Sequence, residues 1–144
     1  MWFNPIMEWL LKSPLHPLIS SNTMLITYTG HKSGRLYTTP VNYLRDGDVF
    51  TTISYRQRVW WRNLRGGAPV TIRVQGKDLE AVADVVEDDE TVAGHLAAYL
   101  QKAPRLARYF DVRINPHGQP DPDDVARAAR ERVIVHTTTK EKIA

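Results

Sequence analysis

The sequence predicts a mainly β domain with helices (α+β) whose strands form an antiparallel barrel. Apolar and polar residues alternate through much of residues 24–86, which is the period of strands with one buried face. Short turns that contain glycine separate these segments, as hairpins require. A further β-branched segment, Arg132–Thr138, follows a helical region. It supplies a late strand that covers the sheet edge left by the earlier strands.

The first strands come directly one after another. Met24–Thr29 is rich in β-branched and aromatic residues, and the loop Gly30–Gly34 ends it. Leu36–Arg45 is expected as one second strand, and Val49–Tyr55 as its antiparallel return. Asp46-Gly47-Asp48 joins these two, because Asp-Gly supplies the positive φ angles that a two-residue hairpin turn needs.

The middle of the chain predicts a short helix and then a second hairpin. Val59–Arg65 has the helical pattern, and Gly66-Gly67 forms its C-terminal cap. Apolar residues alternate in Ala68–Gln75 and again in Leu79–Val86, with a turn at Gly76-Lys77. Both segments are therefore expected as strands with one buried face.

Helices are predicted before the last strand. Asp88-Asp89-Glu90 places acids at the positive end of an amphipathic helix that runs to about Lys102. A second short helix is expected over Leu106–Phe110, and a third over Asp123–Arg130. The intervening residues 115–122 have the composition of a loop.

We expect one domain over residues 1–144. Its expected parts are an N-terminal apolar helix (1–20), the hairpins (23–87), helices and a loop (88–131) and the closing strand (132–139). The N-terminal helix would begin at Asn4-Pro5 and cover the mouth of the barrel. The alternative is peripheral contact with a membrane surface, which its tryptophans and phenylalanine favour.

Composition excludes several classes of function. The 144 residues include no cysteine, which removes disulfides, thiolate nucleophiles and iron–sulfur clusters. The five histidines lack metal-ligand spacing, so no metal site is expected. A net charge of +3 is too small for a typical nucleic-acid footprint and suits a small polyanion better. These features are compatible with a cytoplasmic protein, membrane-associated if the first helix meets lipid.

Gly30-His31-Lys32-Ser33-Gly34-Arg35 is the most informative segment. Its glycines allow a tight turn with exposed N–H groups, and its side chains add cationic and hydroxyl donors, so it can surround a phosphate. The alternative is a solvated basic hairpin loop. A second basic cluster, formed by Arg56, Arg58, Arg62 and Arg65, lies beside paired tryptophans and is a candidate to converge on the same anion.

The residues of two blocks resemble the deazaflavin-dependent nitroreductase family. The first block is the loop just described with the following Thr38-Thr39-Pro40 and the strand that begins there. The second is Trp60-Trp61-Arg62-Asn63-Leu64 with the strand that follows it. The resemblance covers about residues 23–87, and weakly the final strand.

This resemblance implies a split β-barrel related to flavin-binding (FMN) pyridoxamine phosphate oxidases. It also implies hydride transfer from reduced coenzyme F-420, a deazaflavin, to a quinone, a nitro compound or a similar small acceptor. The Lys-Ser-Gly-Arg loop would hold the phosphate and acidic tail, and residues of neighbouring strands would lie against the deazaflavin ring. The expected cofactor-binding residues are His31, Lys32, Ser33, Gly34, Arg35, Tyr37, Thr39, Pro40, Thr52, Ile53, Ser54, Arg56, Arg58, Trp60 and Asn63.

The chain departs from the family pattern at two places. Tyr37 stands where the family often has arginine, and the loop after the third strand is shortened to Tyr55-Arg56-Gln57-Arg58. Arg56 and Arg58 are candidates to replace the missing arginine. Protein groups need only orient the cofactor, exclude water and donate to a developing oxyanion. Ser54 and Tyr55 are the expected catalytic donors, with Tyr99 and Tyr109 as further candidates or ordinary half-buried aromatics.

Two other functions fit the same barrel. One is an FMN-binding reductase. The other is a non-catalytic carrier of a lipid, a fatty acid or a tetrapyrrole, which the apolar N-terminus and the shortened loop favour. The sequence leaves open whether the barrel stands alone or forms a homodimer, as related flavin-binding barrels often do.

Overall fold

The computed structural model describes residues 23–140, so the predicted N-terminal helix lies outside the described residues. Within this range seven strands form one sheet, accompanied by two α-helices and two 3₁₀ helices. This is the predicted mainly β architecture with helices. The elements are β1 (Thr23–Thr29), β2 (Leu36–Asn42), β3 (Leu44–Asp46), β4 (Val49–Tyr55), η1 (Trp60–Leu64), β5 (Ala68–Val74), β6 (Lys77–Val86), α1 (Asp89–Lys102), η2 (Pro104–Phe110), α2 (Pro122–Arg130) and β7 (Arg132–Thr139).

The strand order in the sheet is β2-β1-β5-β6-β7-β4-β3. The predicted late strand, β7, therefore lies between β6 and β4 and covers an edge of each. The described residues divide into two compact units. Unit 1 comprises residues 23–52, 59–85 and 135–140, and unit 2 comprises Ile53–Arg58 and Val86–Ile134. The prediction of one domain stays a prediction.

Unit 1 is built on antiparallel pairing around β1. This strand pairs with β2 on one side and with β5 on the other, and β5 pairs with β6. Side chains of β5 and β6 alternate between the core and the surface, as the period-two pattern predicts, whereas β1 buries three residues in succession. The β1–β2 register ends at the pair Thr29 and Leu36, which fixes where the basic loop leaves the sheet. The buried apolar residues of these strands are Met24, Leu25, Ile26, Tyr28, Val41, Val70, Ile72, Val74, Ala81 and Ala83.

The single strand expected over Leu36–Arg45 is wrong, because the strand breaks at Tyr43. The residues before the break pair with β1, whereas Leu44–Asp46 pairs with β4. Tyr43 is buried, and its ring lies 5.3 Å from that of Phe50. The chain thus changes partner strand at this anchored residue. The predicted Asp-Gly turn is confirmed, with Gly47 at φ +64°.

Unit 2 contains the helices. The Asp88 carboxylate caps α1 by accepting from the backbone N–H of Thr91 at 2.9 Å. It also accepts from the Thr91 hydroxyl at 2.6 Å, and the hydroxyl and then the N–H lower the pKa of Asp88. Asp121 caps α2 in the same way, through the N–H of Asp124 at 3.0 Å. Residues from both helices and β7 form a buried cluster. The cluster comprises Val92, Ala129 and Ile134, with Ile53, Val86 and Ala93 packed against it.

No helix of residues 23–140 is long and apolar enough to cross a membrane.

Candidate functional site

The basic loop between β1 and β2 is closed by its own backbone. Gly30 N–H donates to the carbonyl of Arg35 at 2.7 Å, and Gly34 N–H donates to the carbonyl of Gly30 at 2.9 Å. Gly34 has φ +72°, a left-handed conformation that glycine adopts without steric cost. His31, Lys32 and the rest of the loop therefore project from a fixed turn, and all residues from His31 to Arg35 are exposed.

Tyr37 supports this loop from β2. Its hydroxyl lies 3.1 Å from Ser33 Oγ, which in turn accepts from the backbone N–H of Arg35 at 3.2 Å. The Tyr37 ring stacks on Tyr28 with 6.0 Å between centroids. The tyrosine at this position thus holds the loop through a hydroxyl and a ring, where an arginine would present a charge.

The 3₁₀ helix η1 contacts the loop through Asn63. The Asn63 side-chain oxygen accepts from the backbone N–H of His31 at 2.9 Å and lies 2.6 Å from His31 Nδ1. The amide nitrogen of Asn63 donates to the carbonyl of Trp60 at 2.9 Å. The Trp60 ring lies 6.1 Å from that of Tyr28. The geometry of η1 therefore directs the Asn63 side chain to the loop, and Trp60 packs against Tyr28.

A cleft of about 930 Å³ lies between the loop and η1. Three of its lining side chains are cationic, namely Lys32, Arg62 and Arg65, and the described lining residues include no carboxylate. Within residues 23–140, Lys32 and Arg62 form no ion pair. The cleft can therefore accept an anion of substantial size. Its other lining residues are Tyr28, Gly30, His31, Ser33, Tyr37, Val59, Trp60 and Asn63.

Arg62 and Arg65 are the residues of the second basic cluster that reach this cleft. Both guanidinium groups lie over the ring of Trp61, at 5.7 and 5.0 Å from its centroid. Trp61 is buried, so it forms a fixed platform for the two cations. Both arginines belong to the predicted second basic cluster, but neither they nor Tyr28 are among the expected cofactor-binding residues. The sequence feature that indicates a shared role for Arg62 and Arg65 is their spacing of three residues, which places both on one side of a helical turn.

Three further expected residues of unit 1 lie on strands. Thr39 is half-buried, and its hydroxyl lies 3.1 Å from that of Tyr28. Pro40 pairs with Leu25 across the β1–β2 ladder. Thr52 is 2% exposed, and its hydroxyl has no hydrogen-bond partner among the described residues. Of these three, none lines the cleft. Arg35 is exposed on the loop and also lies outside the lining.

Five expected residues belong to unit 2. Ile53 packs against the helical cluster, and the buried Ser54 donates to the carbonyl of Tyr55 at 3.3 Å. Nη2 of Arg56 donates to Asp89 and to two backbone carbonyls, whereas the buried Nε has no hydrogen-bond partner among the described residues. Arg58 is exposed and forms no ion pair within residues 23–140.

Arg132 holds Tyr55 in unit 2. Its guanidinium stacks between the rings of Tyr55 and Phe110, at 4.7 and 4.9 Å, and donates to the Tyr55 hydroxyl at 3.3 Å. Of the further candidates, Tyr109 is 63% exposed. Tyr99 is buried, which raises the pKa of its hydroxyl. The Tyr109 hydroxyl likewise accepts from an arginine, Arg108, at 3.0 Å, whereas Arg132, which holds Tyr55, is itself buried.

Solved structures that are similar to this chain identify its fold class. A protein of unknown function from Agrobacterium tumefaciens matches with a TM-score of 0.54 and 19% identity, over 91% of this chain. This chain spans only 57% of that protein. An F420-H2 dependent reductase matches with a TM-score of 0.51 and 16% identity, over 81% of this chain and 94% of its own. A structure named as a domain-swapped dimer matches with a TM-score of 0.53 and 15% identity, over 93% of this chain and 99% of its own. The fold is of the split β-barrel class, as the sequence predicts.

The family model for F420H2-dependent quinone reductase, where F420H2 is reduced coenzyme F-420, matches residues 15–115. The chain belongs to this family. A comparison with curated proteins finds no match. Family membership makes the chain an oxidoreductase of the F-420-dependent class, and coenzyme F-420 is the cofactor that the sequence resemblance implies. The cationic cleft fits an anionic cofactor of this kind, because its described lining residues offer positive charge, hydroxyl groups and aromatic faces without an opposing carboxylate.

Proposed function

We propose that this chain transfers a hydride from reduced coenzyme F-420 to a quinone, a nitro compound or a similar small acceptor. The observation that carries the proposal is the carboxylate-free cleft lined by Lys32, Arg62 and Arg65. An anionic cofactor gains charge-assisted hydrogen bonds there without displacing an internal ion pair of Lys32 or Arg62. Family membership supplies the identity of the cofactor.

The loop would bind the phosphate of the cofactor, and η1 would bind its acidic tail. Lys32 and the backbone around Gly34 are exposed, while Ser33 already bonds Tyr37 and Arg35 and so orients the turn. Arg62 and Arg65 are held over Trp61, which lowers the entropy lost when they bind an anion. Tyr28, Tyr37 and Trp60 offer faces to a planar ring.

Thr39, Pro40, Thr52, Ile53, Ser54, Arg56 and Arg58 remain proposed cofactor-binding residues. Reduced coenzyme F-420 supplies the hydride when it is bound. We assign to Ser54 and Tyr55 the role of hydrogen-bond donors to the oxyanion that develops on the acceptor. The Tyr55 hydroxyl accepts from Arg132, so its own proton is free to be donated elsewhere. Tyr55→Phe should therefore reduce kcat by about 100-fold, with the affinity for coenzyme F-420 unchanged.

A fluorescence titration with coenzyme F-420 tests the proposal. We expect micromolar binding, weakened about 10-fold by Lys32→Ala and by Arg62→Ala, because each loses a charge-assisted contact in the cleft. Lys77→Ala removes the same charge from an exposed turn residue that does not line the cleft, and should bind as the wild type does. Oxidation of the reduced coenzyme by quinones and nitro compounds then identifies the acceptor.

Other outcomes of the titration would overturn the proposal. A bright oxidised flavin spectrum with tight FMN binding, and no affinity for coenzyme F-420, would establish the FMN-dependent alternative. An apolar ligand or a tetrapyrrole retained after purification, again without affinity for coenzyme F-420, would establish the carrier alternative. Equal affinities of Lys32→Ala and Lys77→Ala would show that the cleft is not the anion site.

We also infer that the chain forms a homodimer. Support comes from the similar structure named as a domain-swapped dimer, which covers 93% of this chain. Sedimentation velocity over a range of protein concentrations should give the mass of two chains. A mass of 16.5 kDa at every concentration would contradict the inference.

A further inference from the structure

His31 is a histidine that lines the cleft, and its ring is held by Asn63. The side-chain oxygen of Asn63 lies 2.9 Å from the backbone nitrogen of His31 and 2.6 Å from Nδ1 of its ring. Nε2 lies on the other edge of the ring, and His31 has no further hydrogen-bond partner among residues 23–140. One ring nitrogen is thus engaged, and the other is available to a ligand.

The chemistry of the neighbours fixes the orientation of the Asn63 amide. A backbone N–H can only donate, so the Asn63 atom facing His31 must be the oxygen. The opposite end of the amide lies 2.9 Å from the carbonyl of Trp60, which can only accept. A flipped amide would oppose donor to donor and acceptor to acceptor at once. The oxygen therefore faces His31.

This orientation determines which ring nitrogen carries the proton. Because the Asn63 oxygen can only accept, His31 Nδ1 must donate to it in the neutral and in the charged ring alike. In the neutral ring Nε2 then has a lone pair and repels an anion. In the protonated ring Nε2 becomes a cationic N–H donor. A single protonation thus changes the free edge of the ring from acceptor to donor.

The charged groups that line the cleft around this ring are cationic. Lys32 comes from the same loop, and Arg62 and Arg65 come from η1; the other titratable lining groups are Tyr28 from β1 and Tyr37 from β2. All three charges are positive, and no described lining residue is acidic. A bound anion adds negative charge to the cleft and attracts a protonated imidazole ring. Anion binding and protonation of His31 are therefore coupled.

We propose that His31 is a proton-dependent phosphate ligand: Nδ1 stays bonded to Asn63, and Nε2 donates to a phosphate oxygen only when the ring is protonated. The proposal rests on the proposed function in that the phosphate is that of coenzyme F-420. It deepens that function by making cofactor affinity depend on pH near neutrality. Binding takes up a proton, so affinity rises as the pH falls.

The pH dependence of affinity for coenzyme F-420 tests this coupling. The wild type should bind about 5- to 10-fold more tightly at about pH 5.5 than at about pH 8. His31→Gln retains a neutral polar side chain and should lose this difference. His117→Gln, at an exposed loop histidine that does not line the cleft, should retain it. Titration of the ligand itself is common to all three proteins and cancels in the comparison. Parallel pH profiles for the wild type and His31→Gln would overturn the proposal.

Nitrogen-15 NMR of the ligand-free protein tests the tautomer without any cofactor. At about pH 8 the His31 ring should carry its proton on Nδ1, and added inorganic phosphate should move the midpoint of its titration to higher pH. A dominant Nε2–H tautomer would refute the inference whatever coenzyme F-420 does. If His31 responds to phosphate but coenzyme F-420 binds at no pH, the inference stands and the proposed cofactor fails.

Discussion

Gly30 is the residue whose substitution most directly tests the geometry of the basic loop. A methyl group at this position would lie 2.6 Å from Tyr37 Cε2 and 2.9 Å from Ser33 Oγ. To restore ordinary contact, the ring would have to retreat by about 1 Å. It cannot do so freely, because it stacks on Tyr28 and its hydroxyl bonds Ser33. Gly30→Ala should therefore force the loop and the ring apart.

Overpacking of this kind costs about 1–3 kcal/mol, which is the expected loss in the free energy of unfolding of Gly30→Ala. Urea denaturation followed by tryptophan fluorescence measures it. In a Tyr37→Leu background the clash is absent, so the two substitutions should be coupled by about 1 kcal/mol or more. Affinity for coenzyme F-420 should fall with the single substitution, because the loop moves.

Gly94→Ala is the matched control for this substitution. Gly94 lies within α1, and a methyl group there would meet nothing within 4 Å. Because alanine favours the helix, this variant should gain about 0.5–1 kcal/mol of stability. The predicted clash at Gly30 is refuted if Gly30→Ala also stabilises the protein. It is equally refuted if the effects of Gly30→Ala and Tyr37→Leu add to within about 0.5 kcal/mol.

Three further predictions concern stability. Hydrogen bonds from Arg113 lower the pKa of Asp124 from 3.8 to about 2, so the stabilising contribution of this carboxylate is complete at neutral pH and is lost as the pH falls from about 4 to about 2. Asp124→Asn should therefore flatten this part of the pH profile of thermal unfolding. An unchanged profile would contradict the prediction. Arg132→Lys loses the stacking on Tyr55 and Phe110, and should lower the free energy of urea unfolding by about 2–3 kcal/mol, where a loss below about 0.5 kcal/mol would exclude this role. Gly47→Ala imposes a left-handed conformation on a residue with a Cβ and should cost about 1 kcal/mol; a neutral result would mean that the turn rearranges.

Much of the fold follows from local patterns. Alternation predicts β5 and β6, and β-branched and aromatic residues predict β1. The Asp-Gly turn between β3 and β4 follows from its required φ angles. Acidic caps predict α1 because the orphan N–H groups of a first turn need acceptors. The break at Tyr43 could not be predicted in this way. Strand propensity is continuous across that residue, and the change of partner strand depends on the buried packing of Tyr43 against Phe50.

The candidate site was only partly predictable. Residue types and spacing identify the basic loop, because glycines, a lysine and a serine in one turn can bind phosphate. They do not show that Arg62 and Arg65 reach the same cleft, since that depends on η1 packing through Asn63 and Trp60. Nor do they show that the Arg56 guanidinium is bound to Asp89, 33 residues along the chain.

By itself, the sequence determined the period-two strands, the capped helices, the cationic loop and the family resemblance. These depend on the conformational preferences of neighbouring residues and on side-chain types, which are local properties. Only the tertiary structure decided that Asn63 faces His31, that Tyr37 supports the loop and that Arg132 holds Tyr55. These contacts join residues on separate elements, or depend on how the strands pair. They form because burial, hydrogen bonding and packing over the whole chain fix which side chains meet.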